Sequence, residues 1–159
     1  MTTPERLFPE TGSLLGVDFG QRRVGLALCD TGRMIASPLR LYVRRNPELD
    51  AAFFRQLVQQ HAVVGLVVGL PLHMRTNQEG ELAQAARAFG QWLMQTCHLP
   101  VVYFDERLTS TLAEGLLSQA GLTAQQRRER IDKVAAQILL QSFLDAGCPT
   151  EPLPPDKLT

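Results

Sequence analysis

Two short, unbroken apolar runs, Val63-Val64-Gly65-Leu66-Val67-Val68 and Val101-Val102-Tyr103-Phe104, bracket a stretch with helical periodicity. A strand that is apolar on both faces must be covered on both faces. Two such strands joined through a helix lie parallel, with a right-handed crossover. The chain is thereby committed to an α/β fold with helices on both sides of its sheet. Its 159 residues, 45% of them hydrophobic, are enough for one such domain.

The segment before these runs has a different rhythm. Leu14 to Phe19 reads as a strand, joined by a short Gly20-Gln21-Arg22 link to a second strand over Arg23 to Leu28. After an Asp30-Thr31-Gly32 turn, Met34 to Val43 supplies a third. Three strands with tight links predict an antiparallel meander. Asn46-Pro47 then has the form of a helix cap with proline at the first helical position, followed by Leu49, Phe53 and Leu57 at four-residue spacing. Gly69 to Asn77 is expected as a loop, and Glu79 to Cys97 as a helix with Leu82, Ala86, Phe89 and Leu93 on one face. Thr123-x-x-Gln126 matches a capping box, opening a helix that reaches Ala146 with Gly147 as its C-terminal cap. The expected architecture is a mixed five-stranded sheet, three antiparallel strands followed by two parallel ones, flanked by helices. The domain spans 13–147, between irregular tails at 1–12 and, rich in proline, at 148–159.

Several function classes are disfavoured. No apolar run is long enough to span a bilayer, and the N-terminus lacks a signal pattern, so a cytoplasmic protein without membrane contact is expected. The three cysteines are far apart and form no Cys-x-x-Cys pair, which leaves no zinc or thioredoxin motif. Sixteen basic and sixteen acidic residues cancel, which counts against a strongly basic nucleic-acid sponge but not against a local basic patch.

Acidic residues stand at three places where packing alone would not put them. Asp18 interrupts an apolar strand and by alternation shares a face with Leu14 and Gly16, opposite Leu15, Val17 and Phe19. It is either a functional carboxylate or a strand-end acid serving the Gly20 turn. Asp105 and Glu106 follow directly on a buried strand, at the edge where α/β sheets gather ligands; Arg107 beside them can equally pair with either acid. Asp132 is followed by Ala135, Ala136 and Leu139, so it lies on the apolar stripe of its helix. It is either a first-turn acid favoured by the helix dipole or part of a site that small residues let a neighbouring backbone approach. Carboxylates that converge repel one another and need a cation. An oxygen-only set suits Mg²⁺ or Mn²⁺, and two ions about 3.5–4 Å apart can activate water and stabilise a leaving oxygen in phosphodiester hydrolysis.

Basic residues flank these acids. Arg22 and Arg23 adjoin the first, as phosphate contacts or as ordinary hairpin charges. Arg127, Arg128, Arg130 and Lys133 surround the approach to Asp132, where they are placed to contact a nucleic-acid backbone. His73 is a lone loop histidine, either a proton shuttle or substrate contact, or, as such histidines more often are, neither. Gly20 and Gly25 permit either a tight turn or close backbone approach.

The strand–helix order with this acid trio resembles the ribonuclease H-like superfamily. Gly16-Val17-Asp18-Phe19-Gly20 and Arg23-Val24-Gly25-Leu26-Ala27 are similar to the opening of the YqgF (RuvX) family. So are Val67-Val68-Gly69-Leu70-Pro71-Leu72, Asp105-Glu106-Arg107-Leu108-Thr109-Ser110, and Ile131-Asp132-Lys133-Val134-Ala135-Ala136 followed by Ile138-Leu139-Leu140-Gln141-Ser142. The resemblance covers about residues 14 to 146. The central loop departs from it, running His73-Met74-Arg75-Thr76-Asn77-Gln78-Glu79-Gly80 where the family usually has an asparagine and an acidic or glycine-rich stretch.

The resemblance implies a metal-dependent endonuclease with Asp18, Glu106 and Asp132 as catalytic, metal-binding residues, and with Arg22, Arg23, Arg107, Arg128 and Lys133 as substrate contacts. The implied substrate is the 5′ end of precursor 16S rRNA, with a ribosomal particle as a partner. The alternatives are a resolvase of four-way DNA junctions and a non-catalytic RNA-binding assembly factor. A monomer fits the first, and a homodimer fits a resolvase that must cut two strands. Asp-x-Gly before a second strand also occurs in actin-like ATPases, but those close two such domains around a nucleotide and this chain has room for one.

Overall fold

The structure is a computed structural model that describes residues 8–71, 80–106 and 123–150, with the side chains of 125 and 127–133 left aside. Among the described residues five strands and three helices follow in the order β1 (Leu14–Asp18), β2 (Arg23–Cys29), β3 (Ala36–Val43), α1 (Pro47–Gln60), β4 (Gly65–Leu70), α2 (Glu81–Cys97), β5 (Val101–Asp105) and α3 (Ala124–Asp145). The sheet order is β3-β2-β1-β4-β5. β1, β2 and β3 pair antiparallel, and β4 joins β1 and β5 by parallel ladders. This is the mixed α/β sheet expected from the apolar runs, and every residue of the interior strand β4 is buried.

Side-chain alternation sorts the interior into two layers. Leu15, Val17, Val24, Leu26, Leu66 and Val68 face α1 and α2, with Phe54, Leu57, Phe89 and Leu93. Leu14, Ala27, Val67, Val102 and Phe104 face α3, where Ala136, Leu139, Leu140 and Phe143 cover them. α3 crosses β1 closely because position 16 is glycine. A β-carbon there would stand 2.8 Å from Leu140 Cβ and 3.2 Å from the Ala136 carbonyl oxygen.

The predicted caps are present. The Asn46 side chain accepts from Leu49 N–H, with Pro47 opening α1. Thr123 and Gln126 exchange their two hydrogen bonds in a capping box. Past the end of α3, Gly147 has φ +85°, while Cys148 N–H reaches the Phe143 carbonyl and Gly147 N–H that of Leu144. That pair is a Schellman closure.

Four expectations are corrected. β3 begins at Ala36, not Met34, because Asp30 Oδ1 accepts from both Met34 and Ile35 N–H and extends the turn. β4 lies two residues later than predicted and includes Gly69 and Leu70, whose ladder partners are Phe104 and Asp105. On α1 the predicted Leu49 is 48% exposed, and the inward residues are Asp50, Phe54 and Leu57. Asp50 holds that position because it accepts from Tyr42 O–H at 2.6 Å and Arg45 N–H at 3.0 Å. α2 begins at Glu81, and it buries Ala83 where Leu82 was expected.

Residues 8–12 form no helix or strand, yet Phe8 packs against the α3-side core. None of the described helices is long and apolar enough to cross a membrane.

Candidate active site

β1, β4 and β5 run parallel and end at one edge of the sheet. Residues of equal parity along each strand point to the α3 side: Leu14, Gly16 and Asp18 on β1, Val67 and Gly69 on β4, and Val102 and Phe104 on β5, with Glu106 next in step. Asp18 and Glu106 thus rise from strands on either side of β4 and face the same helix.

Between them the intervening residue is Gly69. Glu106 lies across its α-carbon. A β-carbon at 69 would clash with Glu106 Oε1 and stand 2.8 Å from its Cγ and 2.9 Å from its Cδ. The Glu106 backbone is fixed by its N–H donating to the Leu70 carbonyl at 3.0 Å. The consequence is a hydrogen bond between the Glu106 and Asp18 carboxyl groups. Two carboxylates this close cannot both stay ionised without a cation. Burial first, then the Asp18 charge and hydrogen bond, then Asp105, push the Glu106 pKa up to about 9. Glu106 therefore keeps its proton at neutral pH and shares it in the hydrogen bond with Asp18.

Asp132 lies within α3, and its side chain is outside the described residues. Its helical position is one turn before Ala136, whose carbonyl meets Gly16 on the Asp18 face of β1. Among the described residues no group of three potential ligands comes together. Arg107 and His73 lie outside the described residues, as do the side chains of Arg127, Arg128, Arg130 and Lys133. Arg22 and Arg23 are exposed on the link after β1 and at the start of β2. Gly20 belongs to the same link, and a β-carbon on it would meet the Arg23 carbonyl oxygen.

Sequence reasoning missed Gly69, which it assigned to a loop. A glycine directly after an apolar strand run is a known mark of close approach by another group, and here that group is the catalytic candidate itself.

Comparison with known proteins resolves the family. The sequence model of RuvX, described as Holliday junction resolvase, matches residues 12–146. The chain belongs to the RuvX family. A "Putative pre-16S rRNA nuclease" from Rhodopirellula baltica is 41% identical over 145 residues, covering 91% of this chain and 83% of the relative. One of the same name from Chloroflexus aggregans is 42% identical over 134 residues, covering 84% and 94%. Both the family description and these names denote nucleases, hydrolases that act on ester bonds, and the RuvX chain described here stands among them. Among solved structures, T. thermophilus RuvC in complex with Holliday junction substrate aligns with a TM-score of 0.51 at 13% identity, over 86% of this chain and 96% of that one. That likeness is one of fold alone, a mixed sheet flanked by helices.

Proposed function

We propose that this RuvX chain is a metal-dependent endonuclease that hydrolyses phosphodiester bonds of precursor 16S rRNA at its 5′ end, using Asp18, Glu106 and Asp132. The observation that carries this is the Asp18–Glu106 pair, held together over Gly69 at the end of three parallel strands. Such a pair has a deficit of positive charge that a proton fills in the metal-free protein. The donor set is all oxygen, which fits Mg²⁺ or Mn²⁺ and disfavours zinc. Divalent ions, two in the general scheme for such sites, supply Lewis acidity for the attack and departure of oxygen.

The chain's own residues do the rest. Asp18 and Glu106 release their shared proton and offer carboxylate oxygens on one face. Asp132, on the helix that covers this face, completes the ligand set. Gly69 keeps the space between the two strands open, so that Glu106 reaches Asp18 and not solvent. Arg22 and Arg23 follow Asp18 along the chain and hold substrate phosphates. Arg107, Arg128 and Lys133 extend the same contact, which orients the backbone without selecting sequence. The names of the curated relatives favour precursor 16S rRNA as the substrate.

The family description favours a second reading, resolution of four-way DNA junctions by a homodimer. One experiment tests both. The purified protein is incubated with a precursor 16S rRNA fragment and with a synthetic four-way junction, in Mg²⁺ or Mn²⁺, beside Asp18→Asn. Metal-dependent cleavage of the RNA that is lost in Asp18→Asn is the expected result. Cleavage of the junction alone replaces it with the resolvase reading. Binding of RNA without cleavage of either, unchanged in Asp18→Asn, replaces both with a non-catalytic assembly role.

A further inference from the structure

The link that leaves Asp18 runs past a cleft of about 420 Å³, lined by Gln21, Arg22, Val43, Arg44, Arg45, Pro47 and Asp50. Three arginines and one aspartate line it, in a chain with no net charge. The single acid is already engaged. Asp50 is buried and accepts from Tyr42 O–H and Arg45 N–H, with Arg44 Nε at 4.0 Å from its second oxygen. The cleft therefore keeps an excess of positive charge.

Arg44 is built into this wall. Its guanidinium lies over the Phe19 ring at 5.5 Å and the Phe89 ring at 5.1 Å, and one of its terminal N–H groups donates to the Gln21 carbonyl at 3.2 Å. Arg44 N–H also donates to the Arg22 carbonyl at 2.8 Å, which ties the end of β3 to the link. Arg22 and Arg45 are exposed beside it. A planar cation held by two rings has little further freedom to lose on binding an anion, and guanidinium groups match phosphate geometry in pairs. Phe19 is the residue after Asp18 and points to the opposite, α1/α2 side of the sheet, so the cleft opens at the same end of β1 as the carboxylates but on the other face.

We infer that this cleft is a second phosphodiester-binding site, in which Arg22, Arg44 and Arg45 grip the nucleic-acid backbone on the α1/α2 side of the sheet, where it continues past the scissile phosphate. The inference rests on the nuclease reading for the position of that phosphate, and its test is a binding measurement independent of cleavage. Fluorescent single-stranded RNA and DNA of one sequence are titrated with full-length Asp18→Asn protein in EDTA, across a range of salt, with and without Arg22→Ala/Arg45→Ala. The double substitution is expected to weaken binding about 10-fold on both strands and to shrink the salt slope by about 1.4, two contacts at about 0.7 each. The melting temperature should not change. Arg22→Lys/Arg45→Lys, which keeps the charge, should restore the slope. Loss confined to RNA supports the site and names RNA as its ligand. An unchanged affinity and slope, or no binding of either strand at low salt, overturns it. Failure of cleavage with the expected binding loss instead overturns the nuclease reading and leaves the cleft standing.

Discussion

Glu106 occupies the space that a side chain on Gly69 would fill, with its Cγ and Cδ 2.8 and 2.9 Å from where a β-carbon would stand. The contact is made by a flexible side chain and not by backbone, so the two effects of filling it separate. Gly69→Ala should leave the melting temperature within a few degrees of wild type while turning Glu106 away from Asp18. A displacement of about 1 Å at a reacting group costs on the order of 100-fold in rate. Nuclease assays beside thermal melts check this; full activity in a folded Gly69→Ala protein would show that Glu106 does not act from this position.

The same pair makes the metal-free protein sensitive to alkali. Glu106 has its pKa raised in the folded state, from a reference value of 4.5 to about 9. A group raised in this way contributes stability that is complete below the lower value and is lost as pH climbs through the higher one. In EDTA the melting temperature should therefore fall between about pH 5 and pH 9, beyond the change seen in Glu106→Gln. Parallel profiles for the two proteins would refute the coupling.

Metal binding should displace the shared proton. At pH 7 we expect about one proton released per site on titration with Mn²⁺. It is measured as a heat difference between two buffers of unequal ionisation enthalpy. Glu106→Gln should release none, and Asp18→Asn should bind the ion far more weakly.

Helix α3 is set by Gly16 as well as by its own apolar stripe. A methyl group at position 16 would press on Leu140 Cβ and the Ala136 carbonyl, which are 2.8 and 3.2 Å from the β-carbon site. Gly16→Ala should destabilise the fold by about 1–3 kcal/mol, as overpacking does. Because α3 also carries Asp132, cleavage should fall further than the melting shift accounts for. Denaturant titration and single-turnover rates at a temperature well below melting distinguish the two effects.

Asp50 joins α1 to β3. Asp50→Ala leaves the buried Tyr42 hydroxyl without its 2.6 Å acceptor and Arg45 N–H without its 3.0 Å one. The expected cost is about 1–3 kcal/mol in chemical denaturation. Tyr42→Phe, which removes only the donor, should cost less.

How much of this was legible in the chain itself depends on the range of the interaction. Asn46-Pro47, Thr123-x-x-Gln126 and Gly147 act on backbone groups within a few residues, so these caps were readable directly. The alternation around Asp18 and the apolar run of β4 were readable for the same reason, since a strand's two faces follow from a period of two. They determined the mixed sheet, the two parallel strands and the side of β1 from which Asp18 projects. The inward face of α1 was not readable. Apolar periodicity selected Leu49, while a hydrogen bond from Tyr42 on β3 made the charged Asp50 the buried residue. Gly69 looked like the start of a loop because its ladder partner, Phe104, and the side chain that needs its empty face both lie more than thirty residues later. The basic cleft escaped notice likewise, because Arg22 and Arg44 become neighbours only through the pairing of β2 with β3. Local order and turn chemistry were written in the sequence. Which groups meet across the sheet, and therefore which carboxyl holds a proton and which arginines line one cleft, was decided only when distant segments packed, burying Glu106 and bringing the end of β3 against the link after β1.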